Sequence, residues 1–337
     1  MISRQERERQ LIDSGMFNSI KTIFINNNVY ISDKYLMLIT DYVDSLGQLD
    51  YEQQGLYLDP IKIARALPRM LKSVREKELD IYGITDNYTI TMNSKNDYET
   101  NKLFFFHELT HAIQTRFINN HEECSFYNGD TGMFLTEGAT QFIAEILYHV
   151  SNGTNLNYRE QSNSVRGLNN HIPYSALSQY QLNGNIILLL SYSLGIPLNQ
   201  ILALGYRSDG REQLKKLFEV FPGNEGKFEE FMFDLEKIYS IDKLLVMGYR
   251  KQMMSNTPII IELMNGKRSF FGNIQVENDL INKVERELIA NFIANNDEEY
   301  IISNYQKVAM YLTTQELKTN FNNAIQEIIK MRNQSVI

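Results

Sequence analysis

His107-Glu-Leu-Thr-His111 sets two histidines four residues apart with a carboxylate directly after the first. On an α-helix, positions four apart lie one above the other on the same face, so both imidazoles can reach a single cation. Glu108 stands beside them, too close to its neighbours to serve easily as a third ligand. It is well placed to take a proton from a water that the cation has acidified. The bland alternative is an amphipathic helix whose histidines are satisfied by solvent or hydrogen bonds. The flanks Phe104-Phe-Phe106 and Ala112-Ile113 oppose it, because they make the helix apolar on nearly every side and therefore buried. Two buried histidines next to a buried glutamate are costly unless a divalent cation compensates them.

A catalytic zinc takes three protein ligands and leaves a fourth position for water. A third histidine six residues after the second would give the metzincin arrangement, but Phe117 stands there and Gln114 replaces the expected glycine, so that class is excluded. Phe134 to Glu145 reads as a second helix with Leu135, Ala139, Phe142, Ile143 and Ile146 as its apolar stripe, Glu137 in its first turn and Glu145 two turns along the same face. Glu122 and Glu123 follow His121 in what reads as a loop after the motif helix, where solvated charge is the ordinary state. Glu145 is also a candidate for orienting an imidazole from behind, as are Thr140 and Gln141.

His107-Glu-Leu-Thr-His111 followed by the Glu137-Gly-Ala-Thr140 helix resembles the gluzincin metallopeptidases over roughly residues 80 to 150. The resemblance implies a zincin-like core, one Zn2+ per chain held by His107, His111 and Glu137, and Glu108 as general base in peptide hydrolysis. Glu145 is the leading alternative to Glu137. The resemblance also implies that the strand Tyr88 to Met92 is the edge strand that holds an extended substrate, and that Gly138 lets the two helices approach closely. Members of the group stabilise the developing oxyanion with a tyrosine or histidine, and Tyr127 and His171 are the candidates here. His121 and His149 read as loop and helix-surface residues.

Positioning this site falls to a chain dominated by helical periodicity, as in Leu36, Ile39, Tyr42, Val43 and Leu46, or Phe228, Phe231, Met232, Leu235 and Ile238. A helix is expected around Ile61 to Glu78, then the strand at Tyr88 to Met92, then the motif helix opening near Asn96 with Asn96 and Glu99 in capping-box spacing. Weaker strand candidates are Ser19 to Ile31 and Pro258 to Leu263, and a polar helical tail runs from about Glu277 to Arg332. The fold expected is α+β, predominantly α, with a small sheet. Residues 1–208 are assigned to a zincin-like metallopeptidase domain and residues 209–337 to a helical C-terminal region walling the cleft.

Composition narrows the function further. With 337 residues and 43% hydrophobic content, the chain can fill a substantial core. A net charge of -8 offers no basic surface to nucleic acid. Cys124 is the single cysteine, which rules out an intramolecular disulfide and a cysteine-based zinc site. No signal-peptide pattern follows the charged N-terminus, and the most apolar run, Ile186 to Leu194, falls short of the ~20 residues of a membrane span and reads as a buried helix. The expectation is a cytoplasmic protein acting on a peptide or protein substrate, with no nucleic-acid partner and no membrane span. The contrasting reading is a non-catalytic binding or regulatory protein on a zincin scaffold. Glu108 speaks against it, since a structural zinc needs no carboxylate beside a water and takes four protein ligands.

Overall fold

The computed structural model describes residues 2–48, 59–79, 81–86, 88–118, 121–154, 174–255 and 267–335. These residues form a predominantly helical α+β structure with a small three-stranded sheet. Two compact units divide the chain: Met1–Gly129, Ala139–Ile172 and Leu202–Gly210 in the first, and Asp130–Gly138, Pro173–Ile201 and Arg211–Ile337 in the second.

The first unit opens with three helices, α1 (Arg4–Asp13), α2 (Met16–Asn26) and α3 (Asp33–Gln48), followed by α4 (Pro60–Met70). The expected apolar stripe of α3 is buried throughout, from Leu36 to Leu46. Of the strand candidate Ser19 to Ile31, residues 19–26 are helical, within α2. The β-branched run there suggested extended chain, but Ile20 and Phe24, four apart, supply the buried face. The helix expected to reach Glu78 ends at Met70: Leu71 is extended, and Ser73–Lys77 becomes strand β1, paired in parallel with β3 (Thr89–Asn93). The third strand, β2 (Gly83–Asp86), pairs with β3 in antiparallel fashion, giving the order β1-β3-β2. The strand expected at the edge is therefore central, with Ile90 and Met92 fully buried, and the edges belong to β1 and β2.

Helix α5 (Tyr98–Gln114) packs across β2 and β3. Its N-cap is Asp97, which accepts from Thr100 N at 2.8 Å, rather than Asn96, whose amide donates to the Tyr82 carbonyl. Thus the cap shifts by one residue. Glu99 accepts from the Tyr148 hydroxyl at 2.5 Å instead of closing a capping box. The three phenylalanines are spent on packing: Phe104 stacks on Tyr82 at 4.1 Å, Phe105 lies against Tyr35, and Phe106 meets Tyr42 edge-on. Directly after α5 the chain forms a two-stranded ladder of β4 (Thr115–Ile118) and β5 (His121–Cys124), where a loop was expected. Helix α6 (Met133–Ser151) follows, longer than the sequence pattern indicated. Its residues up to Gly138 count with the second unit and those from Ala139 with the first.

A buried ion cluster ties the first unit together. Asp41 accepts from Arg7 Nε at 2.7 Å, pairs with Lys102 Nζ at 2.8 Å and accepts from Ser151 Oγ at 2.7 Å. Lys102 also bonds Ser151 and Asn152. Buried charges persist only when paired in this way.

In the second unit, α7 (Tyr174–Leu194) packs against the later helices α11 (Lys267–Asn295) and α12 (Glu298–Tyr311), and α10 (Phe228–Ser255) also packs on α11. Between them lie α8 (Leu198–Leu204) and α9 (Gly210–Glu219), and α13 (Gln315–Ser335) closes the chain. The apolar run Ile186 to Leu194 is a core stretch of α7, closed by Gly195 at φ +63°. Among the described residues no single helix is long and apolar enough to cross a membrane. The polar C-terminal tail is helical but divided in three: Asp297 caps α12 by accepting from Tyr300 N, and Thr313 bonds the buried Glu285. The strand candidate at 258–263 lies outside the described residues.

Candidate metal centre

Helix α5 is buried at nearly every position, so its site residues are fixed by packing rather than by solvent. His107 is 2% exposed and Glu108 8%, while His111 is half-buried. The two Nε2 atoms lie 3.0 Å apart, with the rings inclined at 77°. Two nitrogens each about 2.0–2.1 Å from one tetrahedral ion lie about 3.3–3.4 Å apart, so the pair is a few tenths of an ångström closer than a shared ion requires.

The tautomer of His107 follows from its neighbours. Gln141 Nε2 donates to Glu145 Oε1 at 2.8 Å, which turns the amide oxygen of Gln141 toward His107 Nδ1 at 2.9 Å. An amide oxygen only accepts, so Nδ1 carries the proton and Nε2 presents its lone pair to His111. Behind Gln141, Glu145 is buried, and desolvation pushes its carboxyl up to about 7. Of the three candidates for orienting an imidazole, Gln141 makes the contact and Glu145 supports it from behind. Thr140 bonds Gln114 at the end of α5 instead.

Gln141 stands one turn after Glu137 on the same unbroken helix, so the face of α6 that reaches His107 is also the face that carries Glu137. Ligand atoms of His107, His111 and Glu137 all lie within 4.8 Å of one another. This His-His-Glu group can hold a metal ion: its donors are two imidazole nitrogens and a carboxylate oxygen, and one imidazole has its tautomer fixed for ligation.

Glu108 is held from the sheet. Thr85 Oγ1, on β2, lies 2.8 Å from Glu108 Oε2 and 2.9 Å from its main-chain oxygen. A Cβ at position 83 would meet Glu108 Cγ and Met92 Sδ at 3.0 Å, so a glycine is what allows β2 to lie this close to the carboxylate. Neither Gly83 nor Thr85 carries a signal in sequence, because a four-residue strand is defined by its pairing with β3.

The other candidates are placed as follows. Tyr127 donates to the Gly129 carbonyl at 2.6 Å, a bond within its own turn, and His171 lies outside the described residues. Glu122 and Glu123 are on β5. His149 bonds Thr154 near the end of α6, and burial lowers its pKa. Gly138 allows a close approach of α7: a Cβ there would lie 2.6 Å from Ile187 Cδ1 and 2.9 Å from Asn183 Cβ. No family model, curated protein or solved structure matches the chain.

Proposed function

We propose that this protein is a zinc-dependent hydrolase of peptide bonds on a zincin-like core, with His107, His111 and Glu137 as metal ligands and Glu108 as general base. The observation that carries this reading is the convergence of the three ligand side chains beside a carboxylate that is held separately. A zinc ion in that group supplies Lewis acidity and an open position for water. The protein's own residues supply the rest. Gln141 keeps the Nδ1 proton of His107 in place, so that Nε2 stays a ligand throughout. With Oε2 of Glu108 engaged by Thr85, Oε1 is left to take the proton of the attacking water and return it to the leaving amine nitrogen.

The preference for a peptide over other amides rests on β2. It is an edge strand whose Thr85 touches Glu108, so an extended peptide pairing with its outer edge would pass the base.

Two measurements test the proposal together: elemental analysis of protein purified without added zinc, and digestion of a broad peptide library by wild type and Glu108→Gln. One zinc per chain in both proteins, with cleavage falling by on the order of a hundred- to ten-thousand-fold in the variant, is the expected result. A cellular effect that survives Glu108→Gln intact would overturn hydrolysis and leave a zinc-containing binding protein.

A further inference from the structure

The helix that carries Glu137 starts at a residue with no side chain to cap it. Gly132, at φ +112°, accepts the first helical bond from Thr136 N at 3.0 Å, and the amides at the start of a helix have no partner within it. Here the acceptor comes from a position 104 residues away. Glu236 Oε2, on α10, accepts from Gly132 N at 3.0 Å and from Met133 N at 2.9 Å. Burial pushes the Glu236 carboxyl up, and the amides of Gly132, Met133 and Phe134 act against that shift by favouring the charged form.

The residue just before the helix is held by a cation. Arg211, on α9, donates to the Thr131 carbonyl at 3.1 Å and to Thr131 Oγ1 at 2.9 Å, and is itself held by Glu229 at 2.6 Å. Further along, Asn183 Nδ2 donates to the Phe134 carbonyl at 2.7 Å, and Gly138 abuts Ile187. Residues 131–138 are thus gripped at their start by an acid and a base and packed on α7 at their end.

We propose that Glu236 is a positioning residue for the metal centre: by capping α6 in trans it fixes where that helix begins, and so where Glu137 presents its carboxylate. The proposal rests on the reading of His107, His111 and Glu137 as metal ligands. Metal–ligand bonds tolerate only about ±0.2 Å, so a helix start that frays or slips by a fraction of a turn moves Glu137 out of range while leaving the two histidines on α5 in place.

The test is zinc affinity, measured on the full chain by competition with a chromophoric chelator, with Co2+ as a spectroscopic probe of the ligand set. Glu236→Ala should bind zinc 10–100-fold more weakly than wild type, with a changed Co2+ spectrum and unchanged helix content. Glu236→Gln, which keeps an amide oxygen as acceptor, should fall between the two and carries the test if the alanine variant fails to fold. Glu285→Gln is the control, since Glu285 is a buried carboxylate of the same unit that accepts from Thr313 at another helix junction. It should bind zinc as wild type does. Wild-type affinity in both Glu236 variants, with zinc lost in Glu137→Ala, would overturn the proposal, and so would equal losses in the Glu236 and Glu285 variants. If the wild type takes up no zinc, or Glu137→Ala keeps it, the metal reading itself falls and the positioning role with it.

Discussion

At its C-terminal end α6 places Ser151 against Asp41 and Lys102, and Asp41 in turn holds Arg7; these three charged side chains are between 3% and 8% exposed. At its N-terminal end it meets Glu236 and Arg211, and the Glu229 that steadies Arg211 is 53% exposed. Both ends are held by charge, but the two arrangements differ in what failure costs. The inner cluster has no water to fall back on, so losing one member strands the others in a medium that cannot solvate them. The outer clamp is partly hydrated, so its loss costs little stability, yet it lies one turn from a candidate ligand. Global stability is thus concentrated at one end of the helix, and the tuning of the candidate metal centre at the other.

Asp41→Ala should break this contrast most severely. It leaves Lys102 without its carboxylate and Arg7 with Asp44 as its one remaining carboxylate among the bonds described, and a loss of about 3–5 kcal/mol in denaturant unfolding is expected. A value near that of an exposed pair, under about 1 kcal/mol, would show that the inner cluster is hydrated after all. Zinc comes next. At a free concentration of about a hundred times its dissociation constant it should raise unfolding stability by about 2.7 kcal/mol, and thermal melts of Glu137→Ala should show no such increment.

Gly138→Ala should cost about 1–3 kcal/mol, because the new methyl must displace Ile187 and the backbone beside Asn183. Zinc titration sharpens that result: a shift of α6 that also weakens metal binding would make this packing, along with the Glu236 cap, part of what places Glu137.

The smallest effect expected is a pH dependence. Burial raises Glu285 to about 7, although its bonds from Thr313 and the charge of Lys318 oppose the shift. Its folded-state pKa lies above the unfolded value of 4.5, so the folded state holds the proton more tightly between the two. The stability it contributes is fully present below about 4.5 and is lost as the pH rises through about 7. Chemical denaturation of metal-free protein from pH 4.5 to 8 should show this decline, and Glu285→Gln should flatten part of it. Glu145, also near 7, should contribute in the same direction.

What could be read from sequence was whatever is local along one helix. His107 and His111 are neighbours by virtue of spacing alone, and the phenylalanines beside them announced the burial that the structure contains. Gln141 was among the legible candidates because it lies one turn after Glu137. Thr85, Glu236 and the packing of Gly138 on α7 were not legible, since each acquires its role from a segment distant in sequence. The same cause displaced the edge strand. Tyr88 to Met92 has the better alternation because it is buried between two partners, whereas β2, one of the two edges, is four residues long and has one partner. At Ser19 to Ile31 intrinsic β preference pointed one way and the buried pair Ile20 and Phe24 decided the other.

The Asp41 cluster also sets a timetable for the chain as it is made. Arg7 and Asp41 are 34 residues apart, but Ser151 lies 110 residues beyond Asp41. At a synthesis rate of about 5–20 residues per second, Asp41 waits roughly five to twenty seconds for its last partner to leave the ribosome. Through the first part of that interval α1 and α3 can pair with the acid between them held by Arg7, and Lys102 joins before Ser151 does. The buried charge network of the N-terminal third is therefore complete only once residue 151 has been made.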